Sequence, residues 1–212
     1  MAHDTHGISH SKMAELVDGD EDLRSMLAGG WLRYRTSPAL QQLTHEAHKA
    51  CALINRIYYD DPDRARQLFY DLIPGAGQAI DFRPPINIDY GARITIGDRT
   101  FINADFMIIG GGQVTIGQDC LIGPRCGIYT PNHAEDASRR RDGWEITAPV
   151  TLGNNVWLGG SVTITPGVTI GHNSIIGAGA VVTHDIPKGV VAVGNPCRAL
   201  RPIAKSDDEQ TF

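Results

Sequence analysis

Aliphatic side chains recur every six residues along most of the second half of the chain. The first position of each hexad is Ile or Leu at nine sites, namely Ile96, Ile102, Ile116, Ile122, Leu152, Leu158, Ile164, Ile170 and Ile176. This period matches neither an amphipathic helix nor an ordinary half-buried strand. It is typical of a β-solenoid in which short parallel strands turn a corner after every hexad and the aliphatic residue points into the interior.

The other hexad positions support this interpretation. The second position is Gly or Asn in eight of the nine hexads, and the fifth is mostly small or β-branched, as at Cys120, Cys126 and Val162. We expect the fifth residue to pack beside the aliphatic one. We expect the second residue to adopt backbone angles beside the corner that glycine and asparagine tolerate. Three strands form one triangular coil of about eighteen residues, so the repeats have room for roughly five coils.

One stretch, from about Thr130 to Ala148, interrupts the hexads. Ile128 and Leu152 are twenty-four residues apart, which is four hexads, so the repeat resumes in register. We therefore expect an excursion loop that leaves the solenoid and returns in phase. Long loops on a rigid scaffold commonly carry functional residues.

A helical pattern precedes the hexads. Between Leu40 and Ile57 the apolar residues are spaced by three and four positions, which predicts one buried stripe along a helix. Ser37 and Pro38 stand where the N-cap and the first helical residue belong. A second helix is predicted over about residues 61–73, before a Pro-Gly pair.

These patterns divide the chain into four parts. Residues 1–22 are mostly polar and are predicted to be a disordered lead, and residues 23–80 form a helical segment. Residues 81–202 form the solenoid, with the excursion loop at about 130–148, and residues 203–212 are a carboxy-terminal tail. The predicted fold class is mainly β, a parallel β-helix of hexapeptide repeats with a small N-terminal helical appendage.

Charge and composition exclude several classes of function. The 212 residues carry 19 basic and 24 acidic side chains, a net charge of −5 that gives no general attraction to nucleic acid or to membranes. The chain has no run of about eighteen apolar residues and no signal-peptide pattern, so we expect a cytoplasmic protein. The four cysteines show no C-x-x-C pair or zinc-finger spacing, which favours reduced thiols.

Longer stretches of the repeat region carry a more specific signature. They read INIDYGARITIG and FINADF, then IYTPNHAED, PVTLGNNVWLGG, TITPGVTIG and SIIGAGAVVTHDIP, and finally VAVGNPCRALRPI. Over about residues 86–202 the chain resembles the hexapeptide-repeat acetyltransferases, in the branch of the maltose and galactoside O-acetyltransferases and nodulation protein L. The resemblance implies a left-handed parallel β-helix, acetyl-CoA as co-substrate, no required metal, and a homotrimer with its active sites between subunits.

The resemblance assigns the catalytic base to His133, which lies at the base of the excursion loop in a Thr-x-x-His segment. Moving an acetyl group from a thioester to a hydroxyl requires removal of the hydroxyl proton, and neutral histidine is the usual base. The implied reaction is direct transfer within a ternary complex, since the chain has no G-x-S-x-G nucleophile motif. In isolation, such a histidine is interpreted as a solvated loop residue.

The acceptor site implied by the resemblance contains Asn103, Asp89 and Glu145. From the residues alone, Asn103 has a conformational role, Asp89 is a corner residue of the first coil, and Glu145 is an exposed loop carboxylate. The chain departs from the family at Gly110–Gly112, where relatives often carry an acidic residue that binds a sugar hydroxyl. The identity of the acceptor therefore stays open. It is a mono- or disaccharide, a sugar-containing precursor, or an antibiotic as in the related xenobiotic acetyltransferases.

The donor site implied by the resemblance combines small residues, which leave room for a pantetheine arm, with basic ends that meet the nucleotide phosphates. Its residues are Asn103, Trp157, Gly160, Ala178, Thr183, His184, Arg198 and Arg201. His184 stands where relatives usually have lysine. The Arg139–Arg141 run in the loop is interpreted as solvated charge, with attraction of the anionic donor as the alternative.

Two other classes of protein stay open beside the acetyltransferase. A metalloenzyme on the same solenoid needs three converging histidines, and the repeat region offers only His133, His172 and His184, at spacings unsuited to one zinc ion. The other class is a non-catalytic solenoid scaffold. His45 and His48, on the first predicted helix, are assigned no role. A coenzyme A release assay combined with metal analysis would separate the three classes.

Overall fold

The computed structural model describes residues 19–204. The disordered lead and the carboxy-terminal tail expected at the two ends lie outside this range, apart from residues 19–22 and 203–204. The helices of the described range are α1 (Glu21–Leu27), α2 (Pro38–Ile57), α3 (Pro62–Leu72) and α4 (Ala137–Arg141), with short 3-10 turns at Tyr34–Thr36 and Gly91–Arg93.

The strands stack into a three-sided parallel β-helix. Face 1 contains β2 (Gly75–Ala76), β5 (Ile94–Ile96), β8 (Val114–Ile116), β13 (Val150–Leu152) and β16 (Thr169–Ile170). Face 2 contains β3 (Asp81–Phe82), β6 (Phe101–Ile102), β9 (Leu121–Ile122), β14 (Trp157–Leu158), β17 (Ile175–Ile176), β19 (Val190–Val193) and β20 (Arg198–Pro202). Face 3 contains β4 (Ile86–Ile88), β7 (Phe106–Ile109), β10 (Gly127–Tyr129), β15 (Thr163–Ile164) and β18 (Val181–Val182). The chain visits faces 1, 2 and 3 in turn through five coils, and β20 then turns back antiparallel to β19.

The interior of the solenoid is the column of residues that the hexads predict. On face 1, Ile96, Ile116 and Leu152 are in parallel register and almost completely buried. The fifth-position thiols of Cys120 and Cys126 are buried beside this column, which confirms their expected place. Complete burial of an Ile or Leu side chain contributes about 1.5–3 kcal/mol, so the narrow core is the main source of stability.

The second-position glycines have a different role from the expected one. Positive φ angles occur at the fourth hexad position, at Arg99, Asp119, Arg125, Asn155, Ser161 and Asn173. Gly159 illustrates the actual constraint, since a Cβ there would lie 2.6 Å from the backbone nitrogen of Ala178 in the next coil. The prediction of unusual backbone angles at the second position is therefore wrong, and glycine is required there because stacked coils touch backbone to backbone.

The excursion loop leaves and rejoins the solenoid in register, as predicted. Ile128 in β10 is paired with Ile164 of the next coil, and Val150 in β13 is paired with Val114 of the previous one. The loop contains β11 (Pro131–His133), α4 and β12 (Trp144–Thr147), and β12 pairs antiparallel with both β11 and β1 (Leu32–Arg33). The loop therefore projects from the corner between faces 3 and 1.

The N-terminal helices cover the first coils of the solenoid. Ser37 caps α2 by accepting a hydrogen bond from Leu40 N, and Pro38 occupies its first turn, as the sequence predicts. Asn55 of α2 exchanges two hydrogen bonds with the backbone of Ile86 in β4. The parallel ladder begins at Gly75, before the boundary expected at residue 81, because β2 and β3 pair correctly without carrying the hexad signature.

Replacing Gly159 by alanine should destabilise the fold, whereas the same change at its neighbour Gly160 should not. A Cβ at position 160 would lie 3.5 Å from its nearest neighbour, an ordinary contact, in contrast to the 2.6 Å approach at position 159. We expect Gly159→Ala to lower the free energy of unfolding by about 1–3 kcal/mol and Gly160→Ala to change it by less than about 1 kcal/mol. Guanidinium denaturation of both variants measures this, and equal stabilities would contradict the stacking explanation.

Candidate active site

His133 and Glu145 lie opposite each other on two antiparallel strands of the excursion loop. They are directly paired residues of β11 and β12. His133 Nδ1 is 3.7 Å from Glu145 Oε2, within ion-pair range but longer than a direct hydrogen bond. The imidazole is 61% exposed, whereas the carboxylate is 18% exposed. An accessible imidazole with a shielded carboxylate behind its Nδ1 leaves Nε2 for exchange of a proton with a substrate.

The electrostatic surroundings of Glu145 are unusual for a loop carboxylate. Burial raises the pKa of the Glu145 carboxyl, His133 opposes this shift, and the charge of Asp89 adds to it, so that the net shift is upward. Asp89 and Glu145 are therefore close enough to influence each other. A shielded carboxylate beside an imidazole also stabilises the charged ring when it takes up a proton.

Asp89 is held from two sides at the same corner between faces 3 and 1. Its Oδ2 accepts a hydrogen bond of 2.7 Å from Gly110 N, and its Oδ1 lies 2.8 Å from Nε2 of His48 on α2. A carboxylate only accepts hydrogen bonds, so Nε2 of His48 carries the hydrogen. Sequence reasoning gave His48 no role, because its partner is forty-one residues away and belongs to another unit of the fold.

The glycines at positions 110–112 have no room for a side chain. A Cβ on Gly110 would lie 2.6 Å from Cδ of Pro131, and a Cβ on Gly111 would collide with the sulfur of Met26 on α1. Gly112 N donates a 3.0 Å hydrogen bond to Thr130 Oγ1. Met26 thus occupies the space into which an acidic side chain at position 111 would extend.

Stacked arginine and tryptophan side chains hold the excursion loop against the N-terminal helical segment. The Arg139 guanidinium lies 4.5 Å from the ring centroid of Trp31 and 5.4 Å from that of Trp144, and Arg33 covers Trp144 at 4.9 Å. Each such cation–π contact contributes about 0.5–1 kcal/mol at an exposed site. Arg139 is exposed, as expected of this basic run, but it also fixes the loop that carries His133.

Asn103, Gly160 and Ala178 lie on a different edge, the corner between faces 2 and 3. Each follows a strand of face 2, and Gly160 O accepts a hydrogen bond from Gly179 N in the coil above it. Asn103 does not adopt a positive φ, so the expectation that it serves a conformational role is wrong. Its Oδ1 accepts a 2.8 Å hydrogen bond from Ala104 N. Gly160 has no side chain and Ala178 has only an exposed methyl group, so little side chain covers the stacked backbone at this corner, which we call the groove.

The remaining donor residues predicted from the resemblance are more dispersed. Trp157 is 51% exposed on face 2, in register with Leu121 and Ile175. Arg198 and Arg201 are exposed on β20 of the same face, paired with Val193 and Val191 of β19.

Thr183 and His184 lie on the opposite edge of face 3 from the groove. They follow β18 at the corner between faces 3 and 1, and Thr183 Oγ1 is 2.9 Å from His184 Nδ1. They therefore share their edge with Asp89 and His133 and not with Gly160.

Apart from Trp157, Arg198 and Arg201 on face 2, the predicted site residues lie on two opposite edges of face 3. Asp89, His133 and Glu145 come together at the corner between faces 3 and 1, whereas Asn103 and Gly160 lie at the corner between faces 2 and 3. The strands of face 3 have two to four residues, so the two edges are on the order of 10 Å apart. Within one chain, Asn103 and His133 therefore do not meet.

Two structural features are absent from residues 19–204. No helix in this range is long and apolar enough to cross a membrane. Nor does the range contain a group of three or more His, Cys, Asp or Glu side chains placed to hold a metal ion. His172 instead accepts a hydrogen bond from Asn154 N through its Nδ1, away from His133.

Comparison with known proteins agrees with this architecture. Residues 149–184 match the family model described as bacterial transferase hexapeptide (six repeats), and residues 113–131 match the hexapeptide repeat of succinyl-transferase. The galactoside O-acetyltransferase of Escherichia coli (strain K12) is 38% identical over 158 residues, covering 74% of this chain and 78% of the relative.

Solved structures extend the similarity to nearly the whole chain. A galactoside acetyltransferase in complex with coenzyme A has a TM-score of 0.84 at 33% identity and covers 90% of this chain and 95% of its own. A maltose O-acetyltransferase from Clostridium difficile 630 has a TM-score of 0.83 at 37% identity and covers 88% and 98% of the two chains. The chain therefore has the left-handed β-helix fold and belongs to the hexapeptide-repeat acetyltransferases, in the branch of the galactoside and maltose O-acetyltransferases.

Proposed function

We propose that the protein is an acetyl-CoA-dependent O-acetyltransferase that acetylates a hydroxyl of a sugar or of a sugar-containing acceptor, with His133 as general base. The observation that carries this proposal is the exposed His133 imidazole backed by the shielded carboxylate of Glu145. The named activities of the relatives, and the coenzyme A in one related structure, support the same chemistry. Release of free coenzyme A from acetyl-CoA in the presence of a panel of sugars tests it.

The proposed reaction needs only the substrates and one imidazole. His133 Nε2 takes the proton of the attacking hydroxyl while its oxygen adds to the thioester carbonyl. The tetrahedral intermediate then collapses, the carbon–sulfur bond breaks, and the imidazolium returns its proton to the leaving thiolate. The products are the acetyl ester and coenzyme A, with His133 neutral again. Glu145 stabilises the imidazolium while it exists.

The donor is proposed to bind along the groove at the corner between faces 2 and 3. Gly160 and Ala178 leave room there for the pantetheine arm, and their stacked backbone groups offer hydrogen bonds to its amides. Trp157 flanks the groove from face 2. Arg198 and Arg201 lie near the carboxy-terminal end of the solenoid, where planar guanidinium groups suit the nucleotide phosphates.

A complete site then requires a neighbouring subunit, because the donor groove and His133 lie on opposite edges of face 3. Placing the groove of one copy against the His133 corner of the next brings both groups to one cleft, with Thr183 and His184 of the second copy facing the donor. A head-to-tail contact forms a ring when the rotation between copies closes, and we propose a closed ring of three, a homotrimer. The exposed Leu121 and Trp157, each about half accessible, support an interface that includes face 2.

Removing the His133 imidazole should abolish most of the activity without unfolding the protein. We expect His133→Ala to lower kcat for coenzyme A release at least about 100-fold, the size of a general-base contribution. His172→Gln, which changes another exposed histidine of the solenoid, serves as the matched control and should keep wild-type turnover. Near-normal kcat in His133→Ala would eliminate the assigned base.

The charge of Glu145 should matter only where the carboxyl is ionised. Burial raises the pKa of this carboxyl, so on acidification it loses its charge at a higher pH than an ordinary glutamate. We expect Glu145→Gln to reduce kcat by roughly 10-fold above that pKa, the effect of losing about 1.4 kcal/mol of attraction between the carboxylate and the imidazolium. The ratio of wild-type to variant kcat should then fall towards one as the pH drops through the pKa of Glu145. Both rates are measured between about pH 4 and pH 8, around the range in which folded proteins are usually most stable. A ratio that does not change with pH would show that the charge of Glu145 does not support catalysis.

Mixing two inactive variants should restore activity if each site is built by two subunits. A His133→Ala chain keeps its donor groove, whereas an Ala178→Trp chain keeps its base but has a blocked groove. In mixed trimers some interfaces receive both intact halves, so we expect partial recovery of coenzyme A release. Mass spectrometry confirms subunit exchange, and no recovery in exchanged trimers would mean that the site lies within one chain.

A further inference from the structure

The pair formed by His48 and Asp89 suggests a second imidazole in the active site. We propose that His48 binds the acceptor directly: Asp89 fixes its ring, and Nδ1 accepts a hydrogen bond from an acceptor hydroxyl next to the one that reacts. The acceptor would then be a molecule with neighbouring hydroxyls. His133 would take the proton of one hydroxyl, and His48 would bind the hydroxyl next to it. This inference rests on the proposed function, since it assigns the acceptor side of the same site.

Exposure indicates that the imidazole, and not the carboxylate, faces the acceptor. The Asp89 side chain is 14% exposed and both of its oxygens are engaged within the chain, one by Gly110 N and one by His48. The His48 side chain is 52% exposed. The carboxylate is therefore occupied in positioning, and the group left accessible at this point is the ring of His48.

The position of Asp89 places this pair beside His133. Asp89 accepts the hydrogen bond of Gly110, and Gly110 is in turn packed against Pro131, which stands two residues before His133 on β11. The charge of Asp89 also reaches Glu145, the partner of His133. The two histidine–carboxylate pairs therefore border the same corner, one from α2 and one from the excursion loop.

The neighbouring chain segment supplies no competing polar side chain. Positions 110–112 are glycine, and Met26 of α1 fills the space beside Gly111. A sugar hydroxyl at this corner therefore has no carboxylate to bind at these positions. His48, on the helix that covers the first coils, is placed to bind the sugar hydroxyl instead of such a carboxylate.

The protonation of the ring fixes the kind of hydrogen bond that it can make. Because Nε2–H donates to Asp89 Oδ1, a neutral His48 has its lone pair at Nδ1 and accepts from a hydroxyl. The contact orients the acceptor without taking its proton away. His48 should accordingly affect acceptor affinity far more than the chemical step.

The test compares His48→Ala, His48→Gln and the control His45→Ala, which changes an exposed histidine one turn earlier on α2. Two rates are measured: hydrolysis of acetyl-CoA by water alone, and coenzyme A release with the best sugar of the panel. We expect His48→Ala to raise the KM for the sugar about 10-fold, the effect of one lost hydrogen bond, with kcat and hydrolysis nearly unchanged. His48→Gln should recover most of the affinity, because its amide can donate to Asp89 and accept from the sugar. His45→Ala should match the wild type.

An unchanged KM for the sugar in His48→Ala would overturn the inference. So would an equal loss in the Ala and Gln variants accompanied by a lower melting temperature, since this would indicate a purely structural tie between α2 and the solenoid. Failure of the proposed function differs from both: the wild type would neither hydrolyse acetyl-CoA nor acetylate any sugar.

A binding measurement tests His48 independently of turnover. The NMR signal of the His48 ring, assigned by its loss in His48→Gln, is followed while galactose or maltose is added to the wild type. We expect the signal to shift with sugar concentration, also in a His133→Ala background that has no activity. A His48 signal that stays unmoved while other signals at this corner shift, or no shift anywhere up to the solubility of both sugars, would overturn the inference.

Discussion

Contact between the backbones of successive coils is the constraint on which the rest of the structure depends. Each strand of the solenoid has only a few residues and is held by the strands above and below it. The coils can stack this closely because glycine at the second hexad position, as at Gly159, leaves no Cβ between them. Equivalent residues of successive coils are thereby aligned in columns, and every corner of the three-sided solenoid becomes a straight, rigid edge.

These rigid edges fix the positions of the residues proposed to bind the donor and to act as the base. The proposed donor groove is an edge where side chains are small, and the proposed base, His133, is carried by a loop inserted at another edge without disturbing the register. That loop would be a poor support for catalysis if it moved freely. Its antiparallel pairing with β1 and the stacking of Arg139 between Trp31 and Trp144 tie it to the N-terminal unit. The helical appendage thus has a direct part in positioning His133.

The periodic part of the fold could be predicted from sequence because it depends on local repetition. The inward-facing aliphatic residues, the buried Cys120 and Cys126, and the in-phase return of the loop all follow from a six-residue period. The reason why the second hexad position needs glycine did not follow from the sequence. The distance between coils depends on how the coils stack and not on any single hexad. The start of the ladder at Gly75 was missed since its first strands lack the aliphatic signature.

The candidate site was harder to predict because it depends on contacts between distant segments. His133 and Glu145 were each singled out, but their direct pairing depends on the register of β11 and β12, which the loop sequence does not reveal. The contact of His48 with Asp89 joins a helix to a solenoid corner, and no periodicity marks it. The path of the chain around face 3 separates Asn103 from His133 within one chain. This separation supports the proposed site between subunits, which the resemblance to the family already implied.

A crystal structure of the protein with coenzyme A bound tests this central claim most directly. The account predicts a trimer in which the coenzyme A lies along the Gly160 and Ala178 edge of one subunit. Its sulfur should then be within a few ångströms, roughly hydrogen-bonding range, of the His133 ring of the neighbouring subunit. A coenzyme A whose sulfur lies against His133 of the same chain, or far from every His133, would contradict the account.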